Sequence, residues 1–322
     1  MNLKFLRIAF HAFVCMGLVQ SALAAYPEKA VKLIVAQTPG GAADIMGRMV
    51  AQKLSERWGQ PVTVENRAGA GGNIGSEAVA KSPNDGYTLM LNSDGPMAIN
   101  ATLYKSLPFD LQRDFTPIAS IATFSFVLLV NNNVPAKTFP EFVKLAHAKP
   151  EMTLGNAGNG STNHLVGEVI KSSAKIKMTN VPYRGVSEAM TDLLGGRIDA
   201  MVSSVPGAAT RVDNGSVRAL VVSTEKRPTR LPNVPTMVES GFPHEVSPSW
   251  FGLFAPANLS PDIVRKIHAD VSVILKGADM KERMATQGLE PFENSMEKFD
   301  ELWKSAIRKW GVVVKGTGAT ID

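Results

Sequence analysis

The feature that most constrains this chain is a repeated switch of apolar period, from strand-like runs to helix-like stripes, at glycine-bearing turns. Ala30–Ala36 is short, apolar and rich in β-branched residues, which suits a strand buried on both faces. After Gln37-Thr38-Pro39-Gly40-Gly41 the period changes: Met46, Val50, Leu54 and Trp58 recur every four residues, one stripe of a helix that Gly59 stops. The scheme continues with strands at Val62–Glu65 and Tyr87–Leu91 around a helix at Ile74–Lys81. It resumes with strands at Phe126–Val130, Met152–Gly155, Met178–Pro182, Ile198–Val202 and Arg218–Ser223. Helices are expected at Pro140–Ala148, Thr162–Ser172 and Ser187–Leu194. Beyond an irregular, Pro-rich stretch at Arg227–Pro248, Trp250–Phe254 reads as a further strand. Ser260-Pro261-Asp262 then opens a helix whose stripe is Ile263, Ile267, Val271 and Ile274. Phe299, Leu302, Trp303, Ile307 and Trp310 mark a last long helix. Alternating β and α predicts mostly parallel α/β sheets with right-handed crossovers, and 322 residues suit two sheets better than one.

Composition removes several classes. At 44% hydrophobic and 20% charged, the chain is neither a disordered polymer, a collagen-like fibre nor a disulfide miniprotein. Its net charge is only +5 and no long Lys/Arg run occurs, so nucleic acid is not an expected partner. Lys4 and Arg7, the apolar stretch Ile8–Val19 and the exit Ala22-Leu23-Ala24 together predict a secretory signal over residues 1–24, cleaved near Ala24 or Ala25. His11 interrupts the stretch, which falls short of a membrane span. Cys15, the one cysteine, lies inside it, and Phe13-Val14 before it argue against lipid attachment. The expected product is exported, without disulfides or thiol chemistry.

Catalytic chemistry finds no foothold in the sequence. His147, His164, His244 and His268 are scattered without metal-ligand spacing. No G-x-S-x-G elbow occurs, and three Ser-x-x-Lys pairs (Ser172/Lys175, Ser223/Lys226, Ser295/Lys298) lack partner boxes. Gly69-Ala70-Gly71-Gly72-Asn73-Ile74 puts Ile where a dinucleotide loop needs Gly, and Gly155–Thr162 lacks the P-loop lysine. No catalytic residue, metal ligand or cofactor is therefore expected.

Anion-binding turns are what remain. Pro39-Gly40-Gly41-Ala42-Ala43 joins a strand to a helix, where glycine lets backbone N–H groups approach a ligand and the helix start adds partial positive charge. Gly158-Asn159-Gly160-Ser161-Thr162 does the same and adds two hydroxyls. Ser93-Asp94-Gly95, Tyr183-Arg184-Gly185 and Ser203-Ser204-Val205-Pro206 follow other strands, at the carboxyl edge where ligands of open sheets sit. Taken singly, such glycines are also plain tight-turn geometry. Asp44 and Arg48, four apart, form a helix pair in the simplest reading. Trp250 fits core or hinge packing, His164 a cap, and Arg184 either a ligand contact or a solvated charge. Neutral donors around a small carboxylate, without a base, describe binding rather than turnover.

These residues also carry a resemblance. Pro39-Gly40-Gly41 with Asp44 and Arg48, Glu65–Gly75, Asp85–Leu89, Ala157–Thr162, Val181–Gly185, Asp192–Gly196 and Ser249–Leu253 appear in order along nearly the whole chain. They resemble the extracytoplasmic solute receptors of the tripartite tricarboxylate transporter family, the Bug receptors. The resemblance implies a two-lobed type II periplasmic-binding-protein (Venus flytrap) α/β fold, each lobe a mostly parallel sheet flanked by helices. Lobe one would comprise 25–123 and 249–322, and lobe two 124–248. It further implies a periplasmic, monomeric, non-enzymatic receptor. Such a receptor closes on a small carboxylate (a dicarboxylate, aromatic acid or amino-acid-like acid) and hands it to a membrane permease. Carried over by position, the contacts are Thr38, Pro39, Gly40, Gly41, Asp44, Ser93, Asp94, Asn159, Gly160, Ser161, Thr162, Tyr183 and Ser203. Many members have an aromatic residue at the place of Gln37, Asp at that of Ser203 and a small hydroxyl residue at that of Asp94. The resemblance thus implies either that Asp94 takes over a donor-accepting role or that the ligand's polar end differs. A sensory receptor of the same fold and an exported α/β hydrolase stay open as alternatives.

Overall fold

The computed structural model describes residues 26–242 and 248–317. The expected signal segment and its cleavage site, Cys15 and His244 lie outside these residues. In chain order the elements are β1 (Val31–Val35), α1 (Ala42–Trp58), β2 (Val62–Asn66), α2 (Asn73–Ala80), β3 (Thr88–Ser93), α3 (Asn100–Leu103), β4 (Phe115–Phe124) and β5 (Phe126–Val130). There follow α4 (Phe139–Ala148), β6 (Thr153–Asn156), α5 (Thr162–Ala174), β7 (Thr179–Pro182), α6 (Val186–Leu194), β8 (Ala200–Ser204), α7 (Val205–Asp213) and β9 (Arg218–Val222). The chain ends with β10 (Ser249–Pro256), α8 (Pro261–Lys276), α9 (Ala278–Thr286), β11 (Glu290–Pro291) and α10 (Met296–Thr317). Among the described residues no helix is long and apolar enough to cross a membrane.

Two sheets result, ordered β11-β4-β10-β3-β1-β2 and β7-β6-β8-β5-β9. The first therefore draws strands from both ends of the chain. Each sheet is the core of a lobe, and both are mixed rather than mostly parallel, which corrects the expectation. Pairs β1–β2, β1–β3, β6–β7 and β6–β8 are parallel, whereas β10 runs against β3 and β4, and β5 against β8 and β9. The reason is the route of the chain. A strand entering a lobe from the cleft must run away from the cleft, opposite to strands whose carboxyl ends point into it. β5 and β10 are those entering strands.

β4, whose ten residues carry the chain to the crossing point, was not anticipated. It contains Pro117, which cannot donate to the ladder, and its pairing with β10 shifts register between Leu253 and Phe254, where Phe254 faces Pro117. The expected helical stripes are seated as their spacing predicts. Met46, Val50 and Leu54 of α1 share a core with Val31, Leu33 and Leu89 of the sheet. Phe299 and Trp303 of α10 pack on Trp250 and Phe254 of β10, the Trp250 ring meeting Phe299 edge-on at 5.6 Å. Trp250 is thus a core residue.

Candidate functional site

The carboxyl ends of the parallel strands of both lobes face one cleft. In lobe one, β1 runs into Gln37–Gly41 and α1 starts at Ala42 behind an extended Gly41 that has no side-chain cap. Gly40 sits at φ 78°, in the left-handed region that glycine enters freely. Its N–H donates to Asp44 Oδ2 at 2.9 Å. Arg48 Nε donates to the same oxygen at 3.1 Å, and Asn66 Nδ2 to Asp44 Oδ1 at 3.0 Å. Burial pushes the Asp44 carboxyl up, but the bonds from Arg48, the Gly40 amide and Asn66 outweigh it and hold the group below its ordinary range. Asp44 therefore braces the turn from behind and lines neither chamber of the cleft. The helix-pair reading holds and gains a purpose.

Lobe two repeats the construction. β6 ends at Asn156, whose Oδ1 accepts from the Gly158 N–H at 2.9 Å, and Gly158 and Gly160 both have positive φ. Ser161 caps α5, its Oγ accepting from the His164 N–H at 3.2 Å. The Gly160 N–H donates to His164 Nδ1 at 3.0 Å, while His164 Nε2 lies 3.3 Å from Glu168 Oε1 and 3.2 Å from Asn180 Nδ2. Burial would raise the Glu168 carboxyl, but His164, Lys171 and Asn180 draw it down to about 2. His164 is thus a positioned turn brace.

Between these turns the cleft divides into two chambers. One, of about 120 Å³, has the aromatic wall Phe124, Phe126 and Phe251, with Phe124 and Phe251 stacked at 4.5 Å. Its polar lining includes Gln37, Ser93, Asn163, Ser187 and Ser204. The other, of about 370 Å³, is lined by the glycine loop 68–72, Tyr104, the turn Asn159–Ser161 and Tyr183. Thr38 and Thr162 border both. Among the described residues, the sole charged side chain lining the aromatic chamber is Arg211, and the sole one lining the glycine chamber is Arg184. No carboxylate of the described residues lines either space.

The expected contacts therefore separate into groups. Thr38, Ser93 and Thr162 border both chambers; Gly40 and Gly41 line the aromatic one; Asn159, Gly160, Ser161 and Tyr183 line the glycine one. Pro39, Asp44, Asp94 and Ser203 line neither. Ser203 is fully buried, and its neighbour Ser204 takes the wall position. The Tyr183 hydroxyl donates to Asp192 Oδ2 at 2.7 Å, and burial with that carboxylate pushes the phenol up to about 12. Asp94 is 2% exposed, and its Oδ2 accepts from Ser249 Oγ at 2.9 Å. Burial dominates there, lifting the carboxyl to about 7 against the bonds from Ser249, the Gly95 amide and Trp310. The structure thus gives Asp94 a brace between β3 and the entering strand β10, behind the wall rather than on it. Sequence reading missed the aromatic wall, Arg211 and the glycine loop's place in the cleft. Phe124, Phe126 and Phe251 carry no signal beyond strand character.

Comparison with known proteins agrees with this architecture. Residues 46–319 match the family described as the tripartite tricarboxylate transporter family receptor. The chain is 32% identical to the protein BugT of Bordetella pertussis over 325 aligned residues, covering 100% of both. Among solved structures, a Rhodopseudomonas palustris protein with adipate superposes with a TM-score of 0.89 at 32% identity, over 92% of this chain and 100% of that one. MatC of R. palustris with bound malate gives 0.84 at 29%, over 90% of this chain and 100% of its own. Two α/β lobes, a cleft floored by strand ends and a family match over most of the length lead to one conclusion: the chain belongs to the tripartite tricarboxylate transporter receptor family.

Proposed function

We propose that this protein is a periplasmic receptor that captures a small carboxylate between its lobes and delivers it, chemically unchanged, to a tripartite tricarboxylate-type permease. The observation that carries the reading is the charge of the cleft: among the described residues, two chambers with one arginine on each and no carboxylate on either, and helix-opening turns from both lobes aimed between them. Adipate and malate in the two relatives point to the same ligand chemistry.

In this reading lobe one comprises 25–123 and 249–322, and lobe two 124–248. The change of sheet around Ser125 and the entry of β10 at Ser249 support those boundaries. Contact falls to Thr38, Gly41, Ser93, Asn159, Ser161, Thr162 and, replacing Ser203, Ser204. The Gly40 and Gly160 amides are already committed to Asp44 and His164. Ligand therefore meets the hydroxyls and the first-turn amides of α1 and α5 that have no intrahelical acceptor, the His164 amide being capped by Ser161.

A thermal-shift panel of malate, adipate, aspartate and benzoate tests the proposal. Ligand at ~100 times its Kd stabilises by about 2.7 kcal/mol, a clear rise in Tm. The acid must be recovered intact. No shift with any carboxylate, and no acid in mass spectra of the purified protein, refutes capture; consumption of the acid refutes the receptor reading.

A further inference from the structure

Besides the Arg230 Nε bond to the Thr286 carbonyl at 3.1 Å and the packing of Leu165 with Ile99 and Leu103, the two lobes make two contacts that mirror one another. Thr162, the first residue of α5 in lobe two, lies against Gly95 of lobe one, just beyond β3. A Cβ built on Gly95 falls 2.6 Å from Thr162 Oγ1. Thr38, in the lobe-one turn, lies against Gly185 of lobe two, whose built Cβ falls 3.4 Å from Thr38 Oγ1 and 3.5 Å from its Cγ2. Each lobe thus supplies one threonine and one facing glycine. Neither glycine is required by its own backbone. Gly95 lies outside the left-handed region, and Gly185 is extended at φ −172°. What the missing side chains provide is room for the opposite lobe.

We propose that these pairs are a reciprocal clasp. Thr162 seated on Gly95 and Thr38 on Gly185 set how far the lobes close, and the two contacts form the partition between the aromatic and glycine chambers. Gly95 and Gly185 are then closure-determining residues of the binding site. The assignment rests on the receptor reading and deepens it. Both threonines border both chambers and belong to the ligand-facing turns, so the side chains that meet an anion are also those that meet the other lobe. Ligand and closure are coupled through the same two residues. The two contacts differ in tolerance. At position 95 a methyl group falls 2.6 Å from Thr162 Oγ1, so the threonine or the lobe that carries it must shift. Position 185 accepts one at ordinary van der Waals distance.

Disulfide trapping tests the clasp without any ligand. In a Cys15→Ser background, Thr38→Cys with Gly185→Cys places the Cβ atoms within the roughly 3.5–4.5 Å that a disulfide spans. Under a mild oxidant this pair should cross-link within one chain. Adding Gly95→Ala should slow cross-linking about tenfold or more, the population loss expected of an overpacked contact. Adding Thr162→Ala to that variant removes the clashing Oγ1 and should restore the rate, which a merely misfolded protein would not do. Gly316→Ala, with nothing near it, should leave the rate unchanged. The clasp is overturned if the parent pair does not cross-link, if Gly95→Ala cross-links at the parent rate, or if Thr162→Ala fails to restore it. A negative carboxylate panel beside a positive trapping result would strike the ligand reading and leave the clasp standing.

Discussion

The turns facing each other across the cleft solve one problem with different chemistry. In both, the glycine two residues before the helix donates its N–H to a side chain four residues on: Gly40 to Asp44, Gly160 to His164. Lobe one uses a carboxylate, balanced by Arg48 at 2.9 Å. Lobe two uses an imidazole nitrogen, backed by Glu168 and Lys171. The shared part is geometric: the glycine amide at each turn finds its nearest acceptor in a first-turn side chain, although Gly40 is exposed and Gly160 buried. The unshared part is electrostatic. Lobe one keeps two carboxylates, Asp44 and Asp94, behind the cleft wall. Lobe two keeps Glu168 in a half-buried network and Asp192 behind Tyr183. Asp94 and Glu168 should therefore respond to pH in opposite directions, with Asp44 on the side of Glu168.

The largest expected effect is at Asp94. Its carboxyl is raised from the ordinary 3.8 to about 7 by burial. A group whose folded pKa is raised contributes stability that is complete below its unfolded pKa and lost as pH rises through the folded one. Between pH 4 and pH 8 the parent should lose up to about 4 kcal/mol relative to Asp94→Asn, whose neutral amide stays neutral throughout. Urea unfolding at several pH values reads this directly. If the two stability curves run parallel, Asp94 is not the acid that lobe one holds neutral.

Next in size is Asp44→Ala, which takes the carboxylate from the Gly40 amide, Asn66 and Arg48, leaving Arg48 only its bond to Asn66 Oδ1. The expected loss is about 2–3 kcal/mol, with Asp44→Asn recovering part of it because an amide oxygen still accepts from Gly40. Equal losses for Ala and Asn would mean that charge, not turn geometry, is the role of Asp44. Glu168→Gln comes third. The Glu168 carboxyl is depressed to about 2, so its contribution is complete above its ordinary 4.5 and disappears as pH falls toward 2. With solvent screening, that amounts to about 1–2 kcal/mol at neutral pH. The gap between Glu168→Gln and parent should narrow from pH 5 downward, opposite in sign to the Asp94 effect.

What the sequence disclosed follows from how local each feature is. The two glycine turns were legible because a period change and positive-φ glycines coincide within a few residues. β5 was read with its observed bounds, Phe126–Val130, because it is uniformly apolar. β4 was not, since Pro117 sits at a register shift that only the partner strand reveals. The antiparallel entry of β5 and β10 is set by the path between lobes, which no local pattern records. The Ser203/Ser204 exchange has the same origin. Successive strand residues face opposite ways, and which of two adjacent serines faces the cleft depends on where β8 ends. Phe124, Phe126 and Phe251 become a wall only because two crossing segments meet beneath the cleft.

The smallest effect gives the sharpest comparison. His164→Ala removes one acceptor and should cost only about 1 kcal/mol globally. Locally, the Gly160 amide loses its partner, so its hydrogen exchange should speed up while that of Gly40 stays put. Asp44→Ala should do the reverse. Amide exchange followed residue by residue in both variants therefore asks whether the turns are braced independently. Acceleration confined to the mutated lobe is the expected outcome, because each brace spans only its own helix start. Acceleration of both amides by either change would mean that the turns support each other across the cleft, and that the lobes answer as one unit rather than two.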